Sequence, residues 1–200
     1  MSERVVCVST WMEGALLQPH VAVVVTGVGA VNAAYALTRF LAGNTVNEII
    51  VCGIGGAYPG SGLAIGDVVC AESECYGDLG ADSPEGFLDM QSLGFPLVAG
   101  DTPIYNQLPM QVFPAGHRAR FVTLNTCTGT DNFVNRTGAA IENMEGAAIA
   151  HVAALAGIRV GEIRGVSNMV GRRDRASWRV KEAAVAAQEA LLDWIRRRAS

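Results

Sequence analysis

The sequence lacks a strong excess of charge of either sign. Its 200 residues include 15 lysines and arginines against 19 aspartates and glutamates, which gives a formal net charge of −4. Because this mild acidity provides no general positive field, we expect neither nucleic acid nor a membrane surface as a partner. Basic residues cluster in two short runs, at 172–175 and 196–198. We expect the second run to be a solvated helix end, where positive charge complements the helix dipole.

A long hydrophobic run is also missing. The longest apolar stretch, residues 21–37, is interrupted by glycines and polar side chains, so we do not expect it to span a membrane. The first residues, Met1-Ser2-Glu3-Arg4, lead directly into strand-like sequence without the pattern of a signal peptide. These two features predict a cytoplasmic protein.

Cysteine and histidine provide no pattern of a metal site or a disulfide framework. The five cysteines are odd in number, none forms a CxxC pair, and the three histidines lack the spacing of metal ligands. Cys7 and Cys52 lie in apolar runs, and we expect them to be small buried hydrophobic residues. Reduced thiols again fit the cytoplasm. We expect the protein to use neither a metal nor an organic cofactor.

The pattern of apolar residues predicts one α/β domain over residues 1–200. Half of the residues are hydrophobic and 17% are charged, which is typical of a globular protein. Short apolar runs alternate with helix-period stretches, a pattern that indicates a mixed, mostly parallel sheet flanked by helices. The predicted strands are 5–8, 21–25, 48–52, 67–71, 120–124 and 160–166, and the predicted helices are 30–41, 144–156 and 178–195. Between Tyr76 and Gly116 the periodicity fails, and we expect irregular structure with one short helix that lines part of a site.

Two glycine-rich segments follow predicted strands. Gly27-Val28-Gly29 opens a helix, as a dinucleotide-binding turn does, but the third glycine is missing and the next strand ends in Gly53 instead of an acidic residue. Gly53-Ile54-Gly55-Gly56 ends a central strand, where α/β proteins bind ligands and where glycine allows a ring or sugar to lie against the backbone. A tight turn that needs positive φ explains this second segment equally well.

Three carboxylates follow three different strands. Glu13 comes after the first strand, Glu145 opens an alanine-rich helix, and Asp174 comes after the last strand. Taken singly, each has an ordinary structural explanation such as a favourable interaction with a helix dipole, a cap or an ion pair. Because the carboxyl ends of parallel strands share one edge of a sheet, the three together predict a common cleft.

Several segments in order resemble the nucleoside phosphorylase and nucleosidase superfamily. They cover nearly the whole chain, although the chain is short for this family and lacks residues between Leu17 and Val21. The resemblance implies a phosphorylase/hydrolase-like three-layer fold, a small-molecule purine nucleoside as substrate and a homo-oligomer. The matching segments are Glu13 after the first strand, Gly27–Asn32, Gly53–Gly56, Gly66-Asp67, Ile141–Ala148 and Arg164–Asn168.

The resemblance also implies roles for individual residues. Glu13 lies where the hydrolases hold the carboxylate that activates the attacking water. Met144 and Glu145 lie where the family holds the ribose, with the glutamate accepting hydrogen bonds from its hydroxyls. Gly55 and Gly56 are expected to line the sugar and the base.

The remaining implied contacts concern the base and the 5′ substituent. Phe133 lies where an aromatic ring packs on the base, and Val134 lies where a backbone amide reads the edge of the base. Trp178 lies where the methylthioadenosine nucleosidases place an aromatic ring against the 5′ substituent. Arg172 or Arg173 would suit a carboxylate on that substituent, or both are surface arginines of a loop.

Asn168 departs from the adenine-releasing members of the family, which have an aspartate here. An asparagine donates N–H hydrogen bonds to O6 and N7 of a 6-oxopurine, where a carboxylate would be repelled. Asn168 therefore favours hypoxanthine or guanine as the leaving group. Because an asparagine is not an acid, the general acid is left open, with Asp174 as the candidate.

Three alternatives remain beside a 6-oxopurine nucleoside hydrolase. A methylthioadenosine or adenosylhomocysteine nucleosidase is disfavoured by Asn168. A purine nucleoside phosphorylase needs cationic groups around its phosphate, and Ser9–Leu17 contains Glu13 and no arginine. A nucleoside-binding protein without activity is disfavoured by the presence of three polar roles in one cleft.

Overall fold

A computed structural model describes residues 4–111, 113 and 115–199. Residues 1–3, where we expected no targeting signal, lie outside the described residues. A short 3₁₀ helix, Trp11–Glu13, follows the first strand. The helices are α1 (Ala30–Gly43), α2 (Met90–Leu93), α3 (Gly146–Leu155) and α4 (Val180–Ala199). The strands are β1 (Arg4–Val8), β2 (Ala22–Val25), β3 (Glu48–Ala57), β4 (Val68–Tyr76), β5 (Gly80–Ser83), β6 (Gly86–Asp89), β7 (Leu108–Pro109), β8 (His117–Thr123), β9 (Ile141–Asn143) and β10 (Arg159–Met169).

The main sheet is mixed and mostly parallel, as the sequence predicts. Its strand order is β10-β4-β8-β9-β3-β1-β2, and β10 also pairs with β3, so that part of the sheet closes on itself. The pairs β1–β2, β1–β3, β3–β10, β4–β8 and β8–β9 are parallel, whereas β4–β10, β3–β9 and β4–β7 are antiparallel. The carboxyl ends of β1, β2, β3 and β10 consequently lie at the same edge of the sheet.

Helices cover the sheet on two sides, each with its own apolar core. Helices α1 and α3 pack with one cluster that includes Leu37, Ile49 and Phe121. Helix α4 packs against β10 and β3 over a second cluster. One side of α4 faces this cluster and is buried: Ala183, Ala184, Ala187, Leu191 and Trp194. In the described part of the chain, no helix is long and apolar enough to cross a membrane.

The structure corrects the predicted boundaries next to the site. Strand β3 does not end before its glycines but continues through them to Ala57, and none of these glycines has positive φ. The tight-turn interpretation is therefore wrong, whereas Gly27 and Gly29 do have positive φ, at 84° and 95°. A Cβ atom on Gly55 would lie 2.7 Å from Ile141 Cγ2, so this glycine allows β9 to approach β3 closely.

Other boundaries differ for local reasons. Helix α3 begins at Gly146 with Glu145 as its N-cap residue, and β10 continues to Met169 instead of ending at Val166. The segment between Tyr76 and Gly116 is more regular than predicted. It contains the β5–β6 hairpin, the short helix α2 and β7, and β7 pairs with β4. Strands this short carry too few residues for a period-2 pattern to be visible.

Candidate active site

A cavity of about 260 Å³ opens at the edge where the parallel strands end. Its walls come from the segments after β1, β2, β8 and β9, from residues of β3, β9 and β10, and from the start of α4. The structure thus brings together most of the residues that the sequence singled out. Those that line the cavity are Glu13, Gly55, Gly56, Met144, Glu145, Asn168 and Trp178.

Glu13 is held in a fixed orientation although the protein buries it almost completely. Its side chain is 4% exposed and lies at the end of the short 3₁₀ helix. Oε2 accepts hydrogen bonds from the backbone N–H of Thr10 (2.9 Å) and from its hydroxyl (2.7 Å), and Oε1 accepts one from the N–H of Ile54 (3.1 Å). A Cβ atom on Gly53 would lie 2.8 Å from Glu13 Oε1, so a glycine there makes room for the carboxylate.

Glu145 lies between a backbone donor and a buried arginine. Oε1 accepts a hydrogen bond from the N–H of Gly29 (2.9 Å), and Oε2 lies 3.7 Å from Nη2 of Arg164. Arg164 is 2% exposed, and its remaining donors contact Glu162, the carbonyl of Ile54 and the side chain of Asn143. Burial alone lowers the pKa of Arg164, but the carboxylates around it raise the pKa above its ordinary value.

Asn168 owes its position to an irregularity in β10. In the pairing of β10 with β3, Val166 lies opposite Gly55 and Asn168 lies opposite Gly56, so Ser167 is an inserted residue. Such a bulge changes the direction in which the following side chain points. Oδ1 of Asn168 accepts a hydrogen bond from the Ser167 hydroxyl (2.8 Å), and a Cβ atom on Gly56 would lie 3.1 Å from Asn168 Nδ2. The amide nitrogen therefore faces the glycines of β3.

Of the two arginines considered for the 5′ side, only Arg173 lies against a residue of the cavity wall. Its guanidinium carbon is 4.9 Å from the ring centroid of Trp178, which suits a cation–π contact. The backbone N–H of Arg172 donates to Asp131, which holds the loop at this point. Both arginines are exposed.

Three other predicted residues lie, in the described structure, outside the cavity wall. Phe133 packs against Tyr58, with 5.6 Å between ring centroids, and Val134 is 79% exposed. Asp174 is exposed, and its carboxylate accepts a hydrogen bond from the N–H of Ala176, as a turn cap does. Their proposed roles in base binding and acid catalysis therefore stay predictions.

Several residues of the cavity wall were not predicted from the sequence. Arg164, Glu142 and Asn143 lie within the segments that resemble the superfamily but carry no predicted role, and Cys127 and Thr128 lie outside those segments. An arginine inside an apolar strand such as β10 is a usable signal, since an arginine is almost never fully buried unless it is paired.

Glu142 illustrates how the wall is held together. Its two oxygens accept hydrogen bonds from the Tyr58 hydroxyl (3.0 Å) and from the N–H of Thr128 (3.0 Å). Burial, and then the charge of Glu142, raise the pKa of Tyr58.

Comparisons with known proteins agree with this architecture. A family model described as the phosphorylase superfamily matches residues 10–197. The futalosine hydrolase of Thermus thermophilus is 40% identical over an alignment of 179 positions that covers 83% of this chain and 77% of that protein. The futalosine hydrolase of Acidothermus cellulolyticus is 40% identical over an alignment of 172 positions that covers 80% of this chain and 69% of that protein.

Solved structures show the same fold at much lower identity. An S-adenosylhomocysteine nucleosidase from Streptococcus pyogenes, in complex with 5-methylthiotubericidin, superposes with a TM-score of 0.79 at 19% identity and covers 98% of this chain and 97% of its own. A 5′-methylthioadenosine/S-adenosylhomocysteine nucleosidase from Neisseria meningitidis gives a TM-score of 0.79 at 17% identity, over 98% of this chain and 100% of its own. The resemblance found in the sequence is confirmed.

Proposed function

The chain belongs to the phosphorylase superfamily, within its futalosine hydrolases, and we propose that it hydrolyses the N-glycosidic bond of futalosine. The products are hypoxanthine and dehypoxanthine futalosine, and the reaction belongs to menaquinone biosynthesis. Three segments of the sequence support this group within the superfamily: Tyr58–Gly62, Asp78–Gly80, and 167–174 ahead of Trp178.

The observation that carries the proposal is the convergence of Glu13, Glu145 and Asn168 on one cavity. When a ribosyl bond breaks, positive charge develops on the sugar ring and negative charge develops on the departing base. A hydrolase therefore needs a base for water, acceptors for the ribose hydroxyls and donors directed at the purine. The three side chains supply these functions in that order.

The reaction then proceeds by attack of one water molecule on C1′ of the ribose. Glu13 accepts a proton from the water as the bond between oxygen and C1′ forms and the bond between C1′ and the base breaks. Glu145 holds the ribose hydroxyls through its carboxylate. Asn168 donates its N–H to O6 and N7 of hypoxanthine, a bond that strengthens as the base takes up the electron pair. The departing purine then takes up a proton, for which Asp174 stays the candidate donor, and Glu13 releases its proton to solvent.

The charge around Arg164 favours a hydrolase over a phosphorylase. Of the described residues that line the cavity, Arg164 is the one with a cationic side chain. Its guanidinium already donates to Glu162, to the carbonyl of Ile54 and to Asn143, and it lies beside Glu145. With its donors directed at these groups, Arg164 is not available to hold a phosphate ion.

Trp178 and Arg173 supply a site for the 5′ substituent. Futalosine carries an aromatic carboxylate on this side. The indole provides an apolar face beside the cavity, and the guanidinium at 4.9 Å provides a partner for the carboxylate. Of the two arginines that the sequence left open, we therefore assign this contact to Arg173.

The proposed assembly is a cytoplasmic homo-oligomer. Val28 lines the cavity and is 50% exposed. Val31 and Tyr35 follow it in α1, and they are 81% and 62% exposed. An apolar patch of this kind is typical of an interface. Light scattering on the wild type and on Val31→Asp tests this: a monomeric wild type contradicts the assembly.

The experiment that tests the function is incubation of the purified protein with a nucleoside panel, with and without phosphate. Futalosine should release free hypoxanthine at the same rate in both buffers. Strict dependence on phosphate, with a ribose 1-phosphate derivative as the second product, would identify the protein as a phosphorylase. Preferential release of adenine from methylthioadenosine would favour the alternative nucleosidase.

A further inference from the structure

Two glutamates behind the cavity have no role in the proposed mechanism. Glu74 on β4 and Glu162 on β10 are both fully buried. A Cβ atom on Gly146, the first residue of α3, would lie 2.5 Å from Glu74 Oε2 and 2.5 Å from Glu162 Oε2. The two carboxyl groups therefore converge on the same point, each with its Oε2 at the edge of the space that a side chain at 146 would fill.

The hydrogen bonds of this pair are incomplete if both groups are ionised. Glu162 Oε1 accepts from Nε of Arg164, whereas Glu162 Oε2 is buried and has no partner among the described residues. Glu74 Oε2 accepts from Nδ2 of Asn143 (2.8 Å), and Oε1 accepts from the Thr123 hydroxyl (3.1 Å). Two adjacent carboxylates would repel each other and leave one buried oxygen unsatisfied. A single proton between them removes both costs.

We propose that Glu74 holds a proton in the folded protein and donates it to Glu162, and that Glu162 is thereby the counter-ion that positions Arg164 against Glu145. Glu74 and Glu162 are positioning residues, since neither lines the cavity. The proton is shared within one hydrogen bond, so no group is oxidised, reduced or transferred. The activity arm of the test rests on the proposed function, whereas the location of the proton does not.

The surroundings of Glu74 favour its neutral form. Burial, and then the negative charge of Glu162, raise its pKa well above the ordinary value, against the opposing effect of Arg164. Asn143 and Thr123 face it from β9 and β8 as donors, and the hydrogen bond from Asn143 acts with Arg164 to lower the pKa, so burial and Glu162 outweigh both. Glu145 lies beyond Arg164 at the start of α3. On its own strand the neighbours are Cys75 and Tyr76.

Glu74 and Glu162 are each connected to Glu145 through one intervening residue. Glu162 fixes Nε of Arg164, whose Nη2 lies beside Glu145. Glu74 accepts from Nδ2 of Asn143, whose Oδ1 accepts the backbone N–H of Glu145 at 2.9 Å. If Glu74 were ionised, Arg164 would have one more carboxylate near it. The charge of Glu74 would then repel Glu162 from its position beside Arg164.

The matched variants Glu74→Gln and Glu162→Gln test the proposal. Glutamine at 74 keeps an N–H that donates to Glu162, but this nitrogen no longer accepts from Nδ2 of Asn143, so we expect kcat/KM to fall by about tenfold or less at neutral pH. Glutamine at 162 removes the counter-ion of Arg164, so we expect a loss of about 100-fold or more, in line with breaking a buried pair. Equal losses in the two variants would overturn the proposal.

Stability against pH gives a readout that needs no substrate. The unfolded chain releases the Glu74 proton at the ordinary pKa of about 4.3, while the folded protein retains it. The wild type therefore loses stability as pH rises above that value, until Glu74 itself ionises. In this pH range the equilibrium constant for unfolding of the wild type, divided by that of Glu74→Gln, should rise by up to about tenfold per pH unit. Parallel pH profiles for wild type and Glu74→Gln would overturn the proposal.

Infrared difference spectra locate the proton directly, even if Glu162→Gln fails to fold. The wild type minus Glu74→Gln spectrum at neutral pH should contain the C=O stretch of a protonated carboxylic acid, shifted in D₂O. Absence of this band would overturn the proposal. A correct band and pH profile, without hydrolysis of any nucleoside by the wild type, would refute the proposed function and leave the shared proton standing.

Discussion

Glu13→Gln is the sharpest perturbation of the proposed mechanism, because it changes one oxygen of a carboxylate that is held by three donors. Glutamine keeps nearly the same shape and retains one acceptor oxygen. If that oxygen takes the place of Oε2, both hydrogen bonds from Thr10 persist. The new amide nitrogen then faces the N–H of Ile54, which was 3.1 Å from Oε1. One hydrogen bond is lost, and two donors face each other.

The expected magnitudes separate this structural effect from the chemical one. Leaving a buried donor unpaired costs about 1–3 kcal/mol of stability. In a protein of this size that lowers Tm by about 2–4 °C per kcal/mol. Loss of a general base lowers kcat by about 10²–10⁴-fold, which corresponds to about 2.7–5.5 kcal/mol of transition-state stabilisation. Because the base acts in the transition state, the affinity for futalosine should be nearly unchanged.

The assay measures kcat by hypoxanthine release and the Kd of futalosine by calorimetry on the slow variant. Glu72→Gln is the matched control, since Glu72 is exposed on β4 and away from the cavity. Near wild-type kcat in Glu13→Gln would refute the role of Glu13 in water activation. A loss of affinity equal to the loss of kcat would instead assign Glu13 to substrate binding.

Four further variants test the other parts of the site. Asn168→Asp places a carboxylate against O6 and N7 and should lose most activity on futalosine while gaining relative activity on methylthioadenosine; an unchanged ratio of the two kcat/KM values contradicts the base assignment. Glu145→Gln should weaken both binding and turnover, measured as KM and kcat, because ribose anchoring persists into the transition state. Arg173→Ala should raise KM for futalosine about 10–100-fold but leave inosine unaffected, with Arg172→Ala as the control; equal effects on both substrates argue against the carboxylate contact. Gly55→Ala should lower the free energy of unfolding by about 1–3 kcal/mol in denaturant, because its Cβ would lie 2.7 Å from Ile141 Cγ2.

The sequence predicts the sheet and its helices because their signals are local. The runs that became β1, β2 and α1 are apolar over most of the predicted lengths, and the structure moves their predicted ends by two residues at most. The glycines of β3 were harder to interpret, since glycine normally weakens a strand. In this protein they remain extended because β9, Glu13 and Asn168 approach the backbone where a side chain would stand.

The bulge at Ser167 could not be read from the sequence for a different reason. Its inserted residue is visible only in the register of β10 against β3, and no local residue type marks it. Asn168 was found through its chemical type, yet its direction depends on that register. Candidate residues can thus be identified one by one from a sequence, while the direction of a side chain requires the pairing of distant strands.

Gly146 is the residue at which helix α3 packs against the carboxyl groups of Glu74 and Glu162. A glycine is a poor residue for the first turn of a helix, and its presence here has no explanation in helix propensity. Glu74 and Glu162 occupy the volume that any larger side chain at this position would need, because their oxygens lie 2.5 Å from the Cβ position. An alanine at 146 would push the two carboxyl groups apart or displace the start of α3, and with it Glu145. The helix that follows Glu145 therefore begins with a glycine because the carboxyl groups of Glu74 and Glu162 lie directly behind it.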